Sequence, residues 1–318
     1  MAGKKTPDTM LSCSRLPAVM GLSRYSTPND ELELSIRALK GEERENKQNE
    51  SMAWGDRLEA VILAEAAKRL QLADLQTEHS VAMYHDELQL CCSLDGTGDG
   101  RGQVIRTDPD NGIFVVGQDS ITLEGMGVLE AKLTAVSPED APALHRGPIQ
   151  LQGQMDIMQV KWGAVCVLYR GTELRIFLFA PHQQTVATIA QVTRDFQARL
   201  DIFNATGEID YYPPATSEDA DRMFPVAEDK VIQLDVEAEL LAAKIVDANK
   251  RAKQAADDKA EAEKDLKVLL GDAKAAVAGR FEIKWPMRSY QAQPEKIVPA
   301  KAAYSIRQST LSVKEATV

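Results

Sequence analysis

The chain has 318 residues, 44% apolar and 27% charged, the make-up of a globular protein with length for one large or two smaller domains. No apolar run approaches the roughly 18 residues of a membrane span, and Met1-Ala2-Gly3-Lys4-Lys5 lacks the apolar stretch of a secretion signal, so no membrane contact and a cytoplasmic location are expected. A net charge of -11 excludes a broadly basic surface; nucleic-acid binding would need its cations gathered in one groove that focuses potential against the net charge.

In chain order, Ser14 is expected to cap a short helix bearing Leu16, Ala18, Val19 and Met20, and Asn29 a second one reaching about Lys40. The polar run Gly41 to Glu50 reads as a solvated loop or helix end. Ser51 to Leu70 places Leu58, Ile62, Ala66 and Leu70 at helical spacing. The period then shortens. Ser80 to Tyr84 and Leu88 to Leu94 read as strands, Asp95 to Gly112 as a Gly- and Asp-rich connection, and Ile113 to Val116 and Gly125 to Leu133 as further strands. Pro148 to Val160 predicts a helix, Ala164 to Tyr169 and Leu174 to Phe179 a hairpin, and Thr185 to Phe203 another helix. This order predicts an α/β fold, a mixed central sheet flanked by helices.

From Leu234 to Gly279 the composition turns to Ala, Lys, Asp and Glu. Leu241, Ala248, Ala255, Ala262, Leu269 and Ala276 share one heptad position, and Ile245, Ala252, Lys259, Leu266 and Ala273 another. A long helix or helical hairpin with a narrow seam is expected, followed by strands at Phe281 to Trp285 and Tyr304 to Val313. The domain reading is a core over residues 1–215 and a helical extension with a short β tail over residues 216–318.

Cys13, Cys91, Cys92 and Cys166 form no C-x-x-C pair, so neither a zinc site nor a dithiol motif is indicated, and buried free thiols are expected. His79, His85, His145 and His182 lack ligand spacing, and no G-x-x-x-x-G-K-[ST] loop is present. Asp95 to Gly100 resembles a calcium loop, but Arg106 stands where the twelfth-position acid belongs, so a strand connection is expected.

Leu129-Glu130-Ala131-Lys132 carries chemistry. On a strand, Glu130 and Lys132 share a face; the carboxylate can hold a divalent cation and the ammonium can stand by an attacking water or a phosphoryl oxygen. An ordinary strand ion pair fits the same residues. Asp95, in Ser93-Leu94-Asp95-Gly96, can reach the same ion or be a turn residue. Glu59, on the helix before the strands, can serve a second ion or be solvated. Gln150 and Gln154, one turn apart, can orient water or decorate a helix.

In this order (helix Glu, strand Asp, strand E-x-K, helix Gln) the residues resemble the lambda-exonuclease-like, YqaJ-type viral recombinase family of the PD-(D/E)XK nucleases. Ser14 to Tyr25, Gly55 to Glu59, Ser93 to Gly96, Leu129 to Lys132, Gln150 to Met155 and Lys161-Trp162-Gly163 carry the resemblance, which spans about residues 12–205. It implies a restriction-endonuclease-like core and a Mg²⁺-dependent 5′-to-3′ exonuclease on double-stranded DNA, Mn²⁺ being a substitute, that leaves 3′ single strands for phage-type recombination by single-strand annealing in a bacterial or phage-infected cell.

By the same resemblance Asp95, Glu130 and the carbonyl of Ala131 bind metal, Lys132 and Gln150 position and activate water, and Glu59 supports a second ion about 4 Å from the first. Ser12 and Ser14 match hydroxyls of a 5′-phosphate pocket, with Lys4, Lys5 or Arg15 as its cation, and Met52 matches an apolar residue that parts the strands. A homotrimeric ring around DNA and a single-strand annealing protein as partner are implied too. The alternatives are another PD-(D/E)XK endonuclease, or a non-catalytic coiled-coil assembly protein on a relic nuclease fold.

Overall fold

The computed structural model describes residues 6–42, 49–77, 79–227 and 229–287. Lys4, Lys5, most of the polar run 41–50 and the strand expected at Tyr304 to Val313 lie outside them. The chain opens with β1 (Leu11–Ser12), a 3-10 turn (Cys13–Arg15), α1 (Leu16–Val19), α2 (Pro28–Leu39) and α3 (Glu50–Arg69). Neither expected cap is used. Ser14 lies inside the turn. Helix α2 starts from Thr27, whose side chain accepts the Asp30 amide while Asp30 accepts the amide of Thr27. Asn29 is buried in its first turn instead, exchanging hydrogen bonds with the Tyr212 backbone. Asn49 caps α3 through the Met52 amide at 2.9 Å.

Eight strands follow: β2 (Ala73–Gln76), β3 (Met83–Tyr84), β4 (Leu90–Cys92), β5 (Gly96–Asp99), β6 (Gln103–Arg106), β7 (Ile113–Val115), β8 (Ser120–Leu123) and β9 (Met126–Thr134). Next come α4 (Pro148–Met158), the hairpin β10 (Gly163–Tyr169) and β11 (Glu173–Phe179), α5 (Gln183–Thr206) and α6 (Ser217–Met223). The main sheet has the order β2-β5-β9-β10-β11-β7, with β9 and β10 parallel. A smaller sheet sets β4 between β1 and β3.

The run after Asp95 is therefore not a plain connection. Gly96 to Asp99 is a strand between β2 and β9. Its glycines serve close packing: a Cβ on Gly96 would stand 2.9 Å from Leu63 Cδ1 of α3. Turn-like composition hid a strand that only glycine lets approach the helix.

Alternation along the central strands divides the core into two layers. Val128, Val165, Val167 and Phe177 pack with Leu32, Ile149, Ile189 and Phe196. Leu129, Ala164, Cys166 and Ile176 pack with Ile62, Leu63 and Ala66 of α3 and with Leu70, which caps its end. All four cysteines are buried free thiols. A mixed sheet with helices on both faces, plus a long C-terminal helix, is the expected fold class.

The chain divides into two units, Met1–Ala220 and Asp221–Val318. The second holds α7 (Val236–Leu270) and the hairpin β12 (Ala275–Ala278) and β13 (Phe281–Lys284). Helix α7 is one continuous helix of 35 residues rather than a hairpin, capped by Asp235 and ended at Gly271. The heptad pattern stops with it, because Ala276 pairs with Ile283 in a sheet. No helix among the described residues is long and apolar enough to cross a membrane.

Candidate active site

Glu130 and Lys132 project from the face of β9 that also bears Val128, and Val128 packs with Ile149, Leu151 and Met155 of α4. Strand β5 runs antiparallel to β9 with Gly96 opposite Leu129, which brings Asp95 beside Glu130. Asp95 Oδ2 accepts the Ala131 amide at 2.9 Å. Glu130 is 1% exposed and the Lys132 side chain 30%. The Lys132 ammonium donates to Glu130 Oε1 and, at 3.2 Å, to Gln150 Oε1. Asp95, Glu130, Lys132 and Gln150, far apart in sequence, thus meet in one cluster.

Gln154 completes it. Its Nε2 donates to Glu130 Oε2 at 2.7 Å and to the Ser93 carbonyl at 3.3 Å. The one-turn spacing places Gln154 on the face of Gln150, as the sequence indicates, but its bond to the Glu130 carboxylate is a contact that the sequence alone does not specify. Gln152, between them, bonds the Ala180 carbonyl and the His182 amide and so ties α4 to the start of α5.

Burial, then the charge of Glu130, push the Asp95 carboxyl well above the usual carboxylate range; Lys132 and the Ala131 amide pull it back and Glu59 adds to the rise. Burial alone would lower the Lys132 ammonium, but Glu130, Asp95 and Glu59 outweigh it and raise its pKa. Glu59 of α3, half-buried, therefore acts on the cluster through its charge.

The donor chemistry fits a divalent ion. Two carboxylates and a backbone carbonyl are hard oxygen donors of the kind Mg²⁺ and Mn²⁺ take. Among the described residues no group of three or more His, Cys, Asp and Glu forms a protein-only cage, and Mg²⁺ commonly binds one or two carboxylates and keeps several waters. A cation between Asp95 and Glu130 would favour the ionised form that their mutual repulsion opposes. The Oε1 of Gln154 is buried without a hydrogen-bond partner and is a further oxygen beside the pair.

Ser12 ends β1, and its hydroxyl lies 3.1 Å from that of Ser14. The turn holding them rests on α4 at Gly153, where a Cβ would come within 2.9 Å of both Cys13 Sγ and Leu16 Cδ1. The paired hydroxyls are thus braced against the helix that presents Gln150 and Gln154. Arg15 is engaged elsewhere. Its Nε pairs with Glu31 at 2.6 Å, and its other nitrogens donate to Ser35 Oγ and to the carbonyls of Asp8, Met10 and Glu31. It is 6% exposed and lies over the Phe196 ring. These contacts commit the donors of Arg15 to bracing the N-terminal turn against α2. Met52, in the first turn of α3, is 53% exposed.

Comparison with known proteins gives three findings. None of the curated protein sequences compared matches the chain. Among solved structures it is similar to LHK-Exo, an alkaline exonuclease from Laribacter hongkongensis, at 16% identity and a TM-score of 0.43, covering 61% of this chain and 89% of that one. The structure of LHK-Exo in complex with dAMP gives the same identity and score, covering 61% and 88%. A family model described as YqaJ-like viral recombinase domain matches residues 6–300. Since that match runs through almost the whole chain and takes in every member of the cluster, this protein belongs to the YqaJ-like viral recombinase domain family.

Proposed function

We propose that the chain is a metal-dependent 5′-to-3′ exonuclease on double-stranded DNA, leaving 3′ single strands for recombination by single-strand annealing. One observation carries the reading: an ammonium held between a buried carboxylate and a glutamine carbonyl, beside a second carboxylate whose amide contact ties it to the same strand.

Asp95, Glu130 and the Ala131 carbonyl would hold Mg²⁺, with Mn²⁺ as substitute and Glu59 near enough electrostatically to support a second ion. The ion would supply Lewis-acid polarisation of the phosphoryl group and stabilise charge on the attacking and leaving oxygens. With its raised pKa, Lys132 is protonated at neutral pH and donates a hydrogen bond to the attacking water or a non-bridging oxygen. Gln150 Oε1 fixes the ammonium and accepts from the same water. Attack of the water oxygen on phosphorus breaks the bond to the 3′ oxygen, the water's proton passing to solvent and the 3′ oxygen leaving as a hydroxyl protonated from solvent. Gln154 keeps Glu130 oriented.

Ser12 and Ser14 would receive the 5′ phosphate and Met52 would wedge the strands apart. We assign catalysis to residues 1–215, with residues 216–318 outside the chemistry. A homotrimeric ring around the duplex suits processive digestion, because the substrate cannot easily leave, and a single-strand annealing protein would take up the product.

The test is a linear duplex phosphorylated at one 5′ end only. The reading expects Mg²⁺-dependent loss of the phosphorylated strand from its 5′ end and an intact closed circle. Prompt cutting of the circle, or equal digestion with excess chelator, contradicts it.

A further inference from the structure

Helix α7 lies open to solvent. Of its 35 residues only Leu270 is buried, while Leu241, Leu266 and Leu269 are 53%, 39% and 83% exposed. A helix of this length is about 52 Å long, and most helical stability in proteins comes from packing an apolar face. Its seam has large residues at the ends (Leu241, Ile245, Leu266, Leu269) and mainly alanines between, with Lys259 as the one charge. A small-residue centre allows two helix axes to approach closely.

We propose that this face binds the same face of a second copy of the chain, antiparallel. The charges beside the seam choose the occupant and its direction. The heptad position preceding each Ile245-type residue holds Lys244, Arg251, Asp258 and Asp265, basic in the first half and acidic in the second. Such a pattern is complementary to itself reversed. When two copies run antiparallel with Leu241 opposite Leu266 of the other copy, Lys244 comes beside Asp265 of the other copy and Arg251 beside Asp258, twice each by symmetry. Lys259 then faces Ala248, whose small side chain leaves room for the lysine stem. On the other flank Glu263 meets Ala242, without a like-charge contact.

Parallel pairing of the same seam fails on both counts. It stacks Lys259 on Lys259 and sets Asp258 beside Glu263. Among the described residues Arg251 pairs with Asp247 and Lys264 with Asp265, exposed local pairs that oppose re-pairing weakly.

The experiment measures the mass of the full chain by light scattering across a dilution series. Three samples are compared: wild type, K244E/R251E and D258K/D265K. The expected results are an even number of chains in wild type (six, where two of the three-chain rings proposed above join through α7), a dissociation midpoint raised about tenfold or more in each variant, and return of the wild-type mass on mixing the two. The mixture restores every charge pair in the antiparallel register, so it also separates lost pairing from misfolding. A wild type that stops at a single ring of three, unchanged masses in the variants, or loss without rescue would each overturn the proposal and leave the face to another occupant, the first of them with the ring itself intact.

Discussion

The Ala131 amide donates to Asp95 Oδ2 at 2.9 Å, so the residue that opens β5 is fastened to the middle of β9 between Glu130 and Lys132. That bond sets the spacing of the two carboxylates. It also holds Asp95 where burial and Glu130 disfavour its charge.

A stability effect follows with a definite sign. The folded-state pKa of Asp95 is raised, so its contribution to stability is fully present below the unfolded carboxylate value and lost as pH rises through the folded one. In metal-free protein near neutral pH, Asp95→Asn should therefore raise the Tm by a few degrees. Added Mg²⁺ should raise the wild-type Tm and leave that of the variant unchanged. Thermal scans with chelator and with Mg²⁺ check both halves; an equal metal response in the two proteins would remove Asp95 from the ion's ligands.

Gln154 supplies the only hydrogen bond recorded to Glu130 Oε2 among the described residues. Gln154→Leu strands a buried carboxylate oxygen and should destabilise by roughly 1–3 kcal/mol. Gln154→Glu brings a second buried acid against Glu130 and should cost more at pH 8 than at pH 5. Chemical denaturation at the two pH values measures this, and a pH-independent loss would argue that the site is more open to water than its burial implies.

Gly153 is the contact between α4 and the serine-bearing turn. Gly153→Ala must push the turn outward and should destabilise by about 1–3 kcal/mol through overpacking. It should also erode the preference for a 5′-phosphoryl over a 5′-hydroxyl end, as should Ser12→Ala with Ser14→Ala. Initial digestion rates on the two kinds of end are the readout.

Arg15 gives a contrasting case. Removing it leaves Glu31 without its buried partner, so Arg15→Ala should destabilise by roughly 3–5 kcal/mol. Among molecules that remain folded, the preference for a 5′ phosphate should be kept. A stable variant that loses only the preference would return Arg15 to the phosphate pocket.

Much of this arrangement was legible in the sequence, for physical reasons. Period-two alternation put Glu130 and Lys132 on one face, and helical spacing put Gln150 and Gln154 on another. The convergence of Asp95 with them came from the family order of motifs, because no local signal encodes a strand register. Strand β5 was hidden, since glycines that allow close packing have the composition of a turn. The cap of α2 was misplaced by two residues because Thr27 and Asn29 are both good caps, and only the tertiary bonds of Asn29 to Tyr212 decide between them. The bonds of Arg15 to Glu31 and Ser35 were not legible, because those partners lie a helix away in sequence.

Mg²⁺-dependent digestion of a 5′-phosphorylated linear duplex by wild type, Asp95→Ala and Lys132→Ala, each verified as folded by its thermal transition, tests the assignment of the cluster most directly. The account predicts a rate at least about 10²-fold lower in both variants, with cooperative unfolding preserved. Wild-type digestion by either folded variant would contradict it.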